Sequence, residues 1–216
     1  GSFEKPCKSI YKASTIAHSG DSILILEGIY TENNKCNFET GVSIFGAGKD
    51  KTIIKSTYNN STYSIGLFTF YSSTYNVQGN QTVSGIGFDG NNYTCQRAIV
   101  VERRGGVQVF DCSFTNFKDS PAIFVGESYE YYKEAVNWIT GNKFYNNEVS
   151  NCSSYNSGFQ GLWFSGQDGF EVYGCNFQNM RGGVSGDAIS SQTNKRWYIH
   201  DCIINRLPYV PGYWNF

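Results

Sequence analysis

Asp187, Lys195 and His200 are the side chains whose types could move protons, and they lie within fourteen positions of one another in SGDAISSQTNKRWYIH. A carboxylate at the mouth of a short extended run can give or take a proton. A lysine or arginine beside an imidazole offers what elimination from an acidic sugar requires, a base near the α-proton and a cation to steady the carboxylate as charge builds. Arg181 and Arg196, with Lys195, could hold an acidic glycan, and Phe124 and Trp163 could form an aromatic platform under sugar rings. Each has a plainer reading. Asp187 could cap its turn through backbone N–H groups. His200 follows Ile199 in a strand and could face solvent. Asp168 and Lys195 occupy the same turn position, two residues before Phe170 and Trp197, where an exposed ion pair is worth little. Glu102, Arg103 and Arg104 read as a solvated charged turn.

The elements that must position these residues announce themselves as a repeat. VQVFDCSFTN (107–116) recurs as FEVYGCNFQN (170–179), WYIHDCIINR (197–206) and NWITGNKFYN (137–146), with TVSGIGFDG (82–90) a looser copy. Anchored on Phe88, Phe114, Phe144, Phe177 and Ile204, the spacings are 26, 30, 33 and 27 residues. Such a period signals stacked repeats. A second short run follows in each: AIVV (98–101), AIFV (122–125), GLWF (161–164) and AISS (188–191). Two or more short strands per period suit a coil of a parallel β-helix, with successive coils about 4.8 Å apart.

On that register Val109, Ile139, Val172 and Ile199 form one inward column and Phe114, Phe144, Phe177 and Ile204 another. Cys112, Asn142, Cys175 and Cys202 share a tight corner, where cysteine acts as a small buried hydrophobe. Cys112 and Cys175, two coils or about 9.6 Å apart, are too distant for a disulfide. Cys7 and Cys36 could pair or stay free. Asn116, Asn146 and Asn179 mark a turn where stacked amides bond one another. Alternation in the second run sends Ile99, Val101, Ile123, Val125, Leu162 and Phe164 inward and Val100, Phe124, Trp163 and Ser190 outward. The insertion ESYEYYKEAVN (127–137) would cover that outer face or wall it.

Composition bounds the class. The 216 residues carry a formal net charge of −1, no footprint for nucleic acid or an anionic membrane, and no apolar run long enough for a membrane span. With 24 glycines, 16 tyrosines, 4 prolines and 1 methionine the profile is turn-rich and all-β. Seven cysteines cannot form a closed intrachain set. No metal-ligand spacing appears; scattered carboxylates could take Ca²⁺, but none of the spacing requires it, and no cofactor is expected.

Ser9 to His18 is the helix candidate, with Ser9 as cap and Ile10, Ala13 and Ala17 on one face. SILIL then reads as a buried strand. The run containing Pro6, Ser9, Ile10, Ala13, Gly20, Asp21, Ile23, Gly28, Tyr30, Glu32, Gly46 and Thr52 to Ile54 resembles the start of the pectate-lyase-like right-handed parallel β-helix superfamily. The resemblance implies an all-β, right-handed parallel β-helix with a short N-terminal capping helix. It implies one domain over 1–216 (cap about 1–20, coils about 21–216), the N-terminal part of a longer chain. It also implies a secreted or cell-surface protein of polysaccharides, either a polysaccharide lyase or glycoside hydrolase on a plant or algal glycan, or a non-catalytic adhesin, fibre or tailspike component or glycan-binding module. SGDAISS is similar to the Gly-Asp-Asp-x-Ile element of polygalacturonase-type hydrolases, with one aspartate where that element has two.

Overall fold

In the computed structural model, residues 1–2, 4–59, 65–92, 95–118, 120–126, 137–152, 161–180, 184–185 and 194–206 are described. Asp187, Arg181 and the AISS run lie outside them. The chain winds through three parallel sheets, one strand to each sheet per coil. The first sheet stacks Ser22–Ile25, Ser43–Gly46, Val77–Ser84, Arg104–Phe110, Lys143–Tyr145, Glu171–Tyr173 and Tyr198–His200. The second stacks Gly28–Glu32, Thr52–Ser56, Gly87–Asp89, Ser113–Thr115, Glu148–Ser150, Asn176–Met180 and Ile203–Arg206. The third stacks Cys36–Asn37, Phe68–Tyr71, Ile99–Glu102, Ala122–Val125, Leu162–Ser165 and Val184–Ser185. All pairing is parallel between neighbouring coils, and the fold is the expected right-handed parallel β-helix.

The corners explain the repeat. Between the first and second sheets the chain turns on one left-handed residue: Gly85, Asp111, Asn146, Gly174 or Asp201, with φ of 69°, 51°, 53°, 62° and 52°. Only Gly, Asn and Asp adopt this region readily. Asn116 and Asn151 just after their second-sheet strands, and Asn179 at the irregularity near the end of its own, do the same, at φ of 59°, 53° and 53°. Asn179 Nδ2 donates to Asn151 Oδ1 at 3.2 Å, one rung of the expected amide ladder with Asn151 where Asn146 was expected, whereas Asn116 Nδ2 donates to the Asp89 carboxylate, Oδ1 at 3.0 Å.

That exchange corrects one coil. Phe144 pairs with Val109 and Val172 in the first sheet, while Val149 lies between Phe114 and Phe177 in the second. The true copy in the fifth coil is NKFYNNEVSN (142–151), five residues along, and Asn147 rather than Asn142 fills the cysteine corner. Ile139 consequently leaves the Val109 column. Elsewhere in these two columns the expected register holds, Val172 beside Ile199 and Phe177 beside Ile204, and the interior is a chain of phenylalanine contacts drawn from all three sheets. Phe38, Phe68, Phe88 and Phe114 follow at 4.9, 5.1 and 5.2 Å between ring centroids. Phe144 then contacts Phe114 at 5.7 Å and Phe124 at 6.4 Å.

The N-terminal helix covers the first coil, but it is Ile10–Ser14, shorter than expected. Ser9 caps it by accepting from Lys12 N at 3.1 Å. The Ser14 and Thr15 hydroxyls bond back to the carbonyls of Tyr11 and Lys12, drawing acceptors out of the helical ladder where it ends. The first strand is half-buried instead of buried. Ile25 turns inward, whereas Leu24 is 72% exposed.

Candidate functional site

The third sheet's outer face is built by alternation from strands whose two sides are both apolar. Phe68, Ile99, Ala122 and Leu162 share one register, and Phe70, Val101, Phe124 and Phe164 share another two residues on. Both registers point inward, as ring contacts of Phe124 and Phe164 with Phe170 at 4.9 and 4.6 Å demonstrate. The outward register between them is Thr69, Val100, Ile123 and Trp163. Phe124 and Trp163 therefore point to opposite sides of the sheet. Phe124 is fully buried and Trp163 only 6% exposed, so the expected exposed platform does not form. The alignment of AIVV with AIFV was one residue out: Ala98 N donates to Pro121 O, and Ile99, not Ala98, stands beside Ala122.

One register further along the outer face come Tyr71, Glu102, Val125 and Ser165. Glu102 is the carboxylate here. Arg103 follows it in the left-handed conformation, φ 58°, at the corner where the chain leaves the sheet. Its Nε lies 3.9 Å from Glu102 Oε1, and its guanidinium sits 4.8 Å from the Tyr75 ring centroid and 6.0 Å from that of Tyr71. The Glu102 side chain is 13% exposed. Burial raises its pKa above the usual carboxylate range, and Arg103 only partly opposes this. A carboxyl group whose charged form is disfavoured by burial, beside a guanidinium and a half-exposed tyrosine, can give or take a proton at a bound uronate group.

The sequence reading of 102–104 as a solvated turn missed this cluster. The three residues point three ways. Arg104 turns into the interior, 3% exposed, donating to Ser72 Oγ at 3.0 Å, Gln81 Oε1 at 3.0 Å, Phe38 O at 2.9 Å and Tyr71 O. The usable signal was the strand register, which puts Glu102 two residues beyond Val100 on the outer side.

The other sequence candidates lie elsewhere on the surface. A narrow ladder, Ile139–Thr140 with Gln167–Asp168, occupies the corner between the third and first sheets and bridges on to Lys195. Asp168 pairs with Arg196 rather than Lys195, through two bonds of 2.7 Å, and the Arg196 guanidinium depresses the aspartate's pKa. Lys195 Nζ sits 4.3 Å from the Trp138 ring centroid. His200 ends a stack of rings on the first sheet's outer face: Phe110, Tyr145, Tyr173 and His200, at 4.7, 4.7 and 5.2 Å. It faces Asp201 at 2.8 Å and Glu171 at 3.5 Å, and Glu171 also takes Lys143 at 2.7 Å. Lys195 and His200 thus hold separate partners on separate ladders. Among the described residues no group of three His, Cys, Asp or Glu is placed to hold a metal ion, and no helix is long and apolar enough to cross a membrane.

Comparison with known proteins gives the family. Residues 1–147, more than half of the chain and including Glu102 and Arg103, match Pectinesterase. Among solved structures, ORF18 of Geobacillus virus E2 superposes with a TM-score of 0.56 at 15% identity, over 91% of this chain and 45% of that one. The alginate lyase of Paenibacillus sp. str. FPU-7 superposes with a TM-score of 0.51 at 14% identity, over 89% of this chain and 72% of that one. The chain thus spans less than half the length of the viral protein, and at these identities both likenesses speak for the fold. No curated protein matches the chain. By the extent of the family match, and in keeping with its stacked coils, this chain belongs to the pectinesterase family.

Proposed function

We propose that this chain is a secreted or cell-surface protein that processes a uronate-containing plant or algal polysaccharide at the corner formed by Glu102, Arg103, Tyr71 and Tyr75. The observation that carries the reading is the Glu102–Arg103 pair, a mostly buried carboxyl whose Oε1 lies 3.9 Å from the Arg103 Nε at the edge of a sheet face within the matched family region. Arg103 binds the uronate carboxyl group or its ester. Glu102 moves the proton.

The reaction class follows from the number of carboxylates. Glycoside hydrolysis uses two, flanking the scissile bond. Among the described residues this outer face brings Glu102 alone to the cluster. Chemistry at the uronate carboxyl group needs less: ester hydrolysis, the reaction of the family's name, or elimination, in which a base removes the proton α to the carboxyl and the glycosidic oxygen departs. A second reading is glycan binding without cleavage, in which Arg103 and the half-exposed Tyr71 hold the polymer and no bond is broken.

The test incubates the protein with methyl-esterified pectin, polygalacturonate and alginate. It follows methanol release, ultraviolet absorbance of unsaturated products and new reducing ends. Methanol or unsaturated product that disappears in Glu102→Gln supports the reading. Reducing ends without unsaturation would move the reaction to glycoside hydrolysis, and activity untouched in Glu102→Gln would remove this site from it. Binding without any product would leave the second reading.

A further inference from the structure

Arg103 and the Lys195–Arg196 pair lie on the same edge of the solenoid, the corner that follows the third sheet. Arg103 leaves the strand Ile99–Glu102. Lys195 bridges to Asp168, whose strand follows Leu162–Ser165 through Gly166. Three coils separate the two places, about 14 Å along the axis.

The second place is organised by its neighbours. Lys195 is seated over the Trp138 ring at 4.3 Å, and its ammonium makes no ion pair among the described residues. Arg196 is held by Asp168 through Nε and Nη2, which leaves Nη1 and the outer face of the guanidinium to solvent; its side chain is 72% exposed and that of Asp168 14%. A buried-side carboxylate thus fixes the direction of an exposed arginine, while an aromatic face fixes a lysine beside it. Two positioned cations against one carboxylate leave a net positive charge, and planar guanidinium is suited to paired contact with a carboxylate.

We propose that Lys195 and Arg196, positioned by Trp138 and Asp168, form an anion-binding subsite for a uronate carboxylate, so that an acidic polysaccharide lying along this edge touches Arg103 and this subsite together. The inference deepens the reading of an anionic glycan substrate, yet it concerns binding and does not depend on which bond is processed. Its ligand is the free carboxylate, so a neutral or fully esterified polymer escapes it. An anionic polymer meeting several cations binds with strong salt dependence.

The experiment measures binding of the full chain to polygalacturonate and to its fully methyl-esterified form at low and high salt. The proteins are the wild type, Lys195→Gln/Arg196→Gln, Lys195→Arg/Arg196→Lys, Trp138→Leu and Glu102→Gln. The double glutamine variant should weaken polygalacturonate binding about tenfold or more at low salt, the loss of one to two charge-assisted contacts. It should leave binding of the esterified polymer alone and unfold at the wild-type temperature. The charge-conserving double variant should keep most of the affinity, and Trp138→Leu should lie between. Glu102→Gln should still bind. Equal affinity of wild type and double glutamine variant for polygalacturonate, or no salt-sensitive binding by the wild type, would overturn the subsite. If Glu102→Gln abolishes processing while the 195/196 variants bind normally, the function stands and this inference falls.

Discussion

Asn147 bonds to the coil of Cys112 through both ends of its amide: Oδ1 accepts from Cys112 N at 2.9 Å, and Nδ2 donates to Val109 O at 2.9 Å. At the same corner in other coils stands a cysteine, whose thiol donates to the carbonyl two residues earlier, as Cys112 does to Phe110 O and Cys175 to Tyr173 O, each at 3.3 Å. A fully buried amide can take this place only because its polar atoms are all answered by backbone. Asn147→Ala strands a buried donor and acceptor and should lower stability by about 2–4 kcal/mol. Asn147→Cys, although it copies the neighbouring coils, should recover only part of that. Denaturant unfolding of the three proteins measures the difference.

Arg104 ties together coils far apart in sequence, bonding Phe38, Ser72 and Gln81. Desolvation lowers its pKa to about 10 without discharging it at neutral pH. Arg104→Met removes the charge but leaves these acceptors unanswered, and Arg104→Lys cannot reproduce the planar fork. Both should cost about 3–5 kcal/mol, with lysine no better than methionine. A lysine variant close to wild type in thermal and denaturant unfolding would show the fork to be dispensable.

The architecture was legible because period and corner chemistry repeat: small or apolar residues at the bend, Gly, Asn or Asp where φ turns positive, and phenylalanine recurring in the inward columns. The fifth coil slipped because NWITGNKFYN and NKFYNNEVSN both end in the right residues, and the strand register and the hydrogen bonds of Asn147 choose between them. The third sheet slipped by one because its strands are buried on both faces, so AIVV, AIFV and LWF carry no alternation to read. The candidate site was the least legible part. Glu102, Arg103 and Arg104 look alike as charges, and their separation into outer face, corner and interior is decided by a single positive φ at Arg103. What sequence did supply there was the location, the strand that follows the repeated FTN-type turn.

The seven cysteines are free thiols, Cys7 and Cys36 among them. Burial holds Cys112, Cys152 and Cys175 up to about 12. Since the thiolate is the reactive form, a thiol reagent applied to the folded protein at mildly alkaline pH should leave these three unlabelled, while denatured protein should label at all seven. Mass mapping of labelled peptides checks this, and rapid native labelling of Cys112 would contradict the packing of its corner.

His200 should make the last described rung of the first sheet sensitive to pH. Asp201 and Glu171 raise its pKa above 6.5, Asp201 first, with Lys143 sharing Glu171 and Tyr173 stacked beneath the ring. A raised histidine pKa means the folded state holds the proton more tightly. The contribution is therefore complete below about pH 6.5 and is lost as pH rises through the folded value. His200→Phe keeps the ring stack and removes the titration. Its amide protection over 198–206 should match wild type above the transition and fall below it under acid. The imidazole resonance in a titration should move at a pH above that of a free histidine.

Glu102 titrates with a consequence of the same sign, though from a different cause. Its pKa lies above 4.5 because burial disfavours the charge, so the folded state again holds the proton more tightly. For a carboxyl group this means that ionisation weakens the fold as pH rises from about 4.5 through the folded value. A side chain that costs stability at neutral pH, in a place where glutamine would fit, is expected where a proton is to be moved. Glu102→Gln should therefore unfold at or above the wild-type temperature near neutral pH, with the advantage vanishing in acid. It should also lose about 10²–10⁴-fold in turnover on an esterified or free polyuronate, the range of a missing general acid or base. Melting curves against pH, set beside product release by the same preparations, separate the two effects. A variant that melts lower at neutral pH and keeps its activity would make Glu102 a structural partner of Arg103 instead.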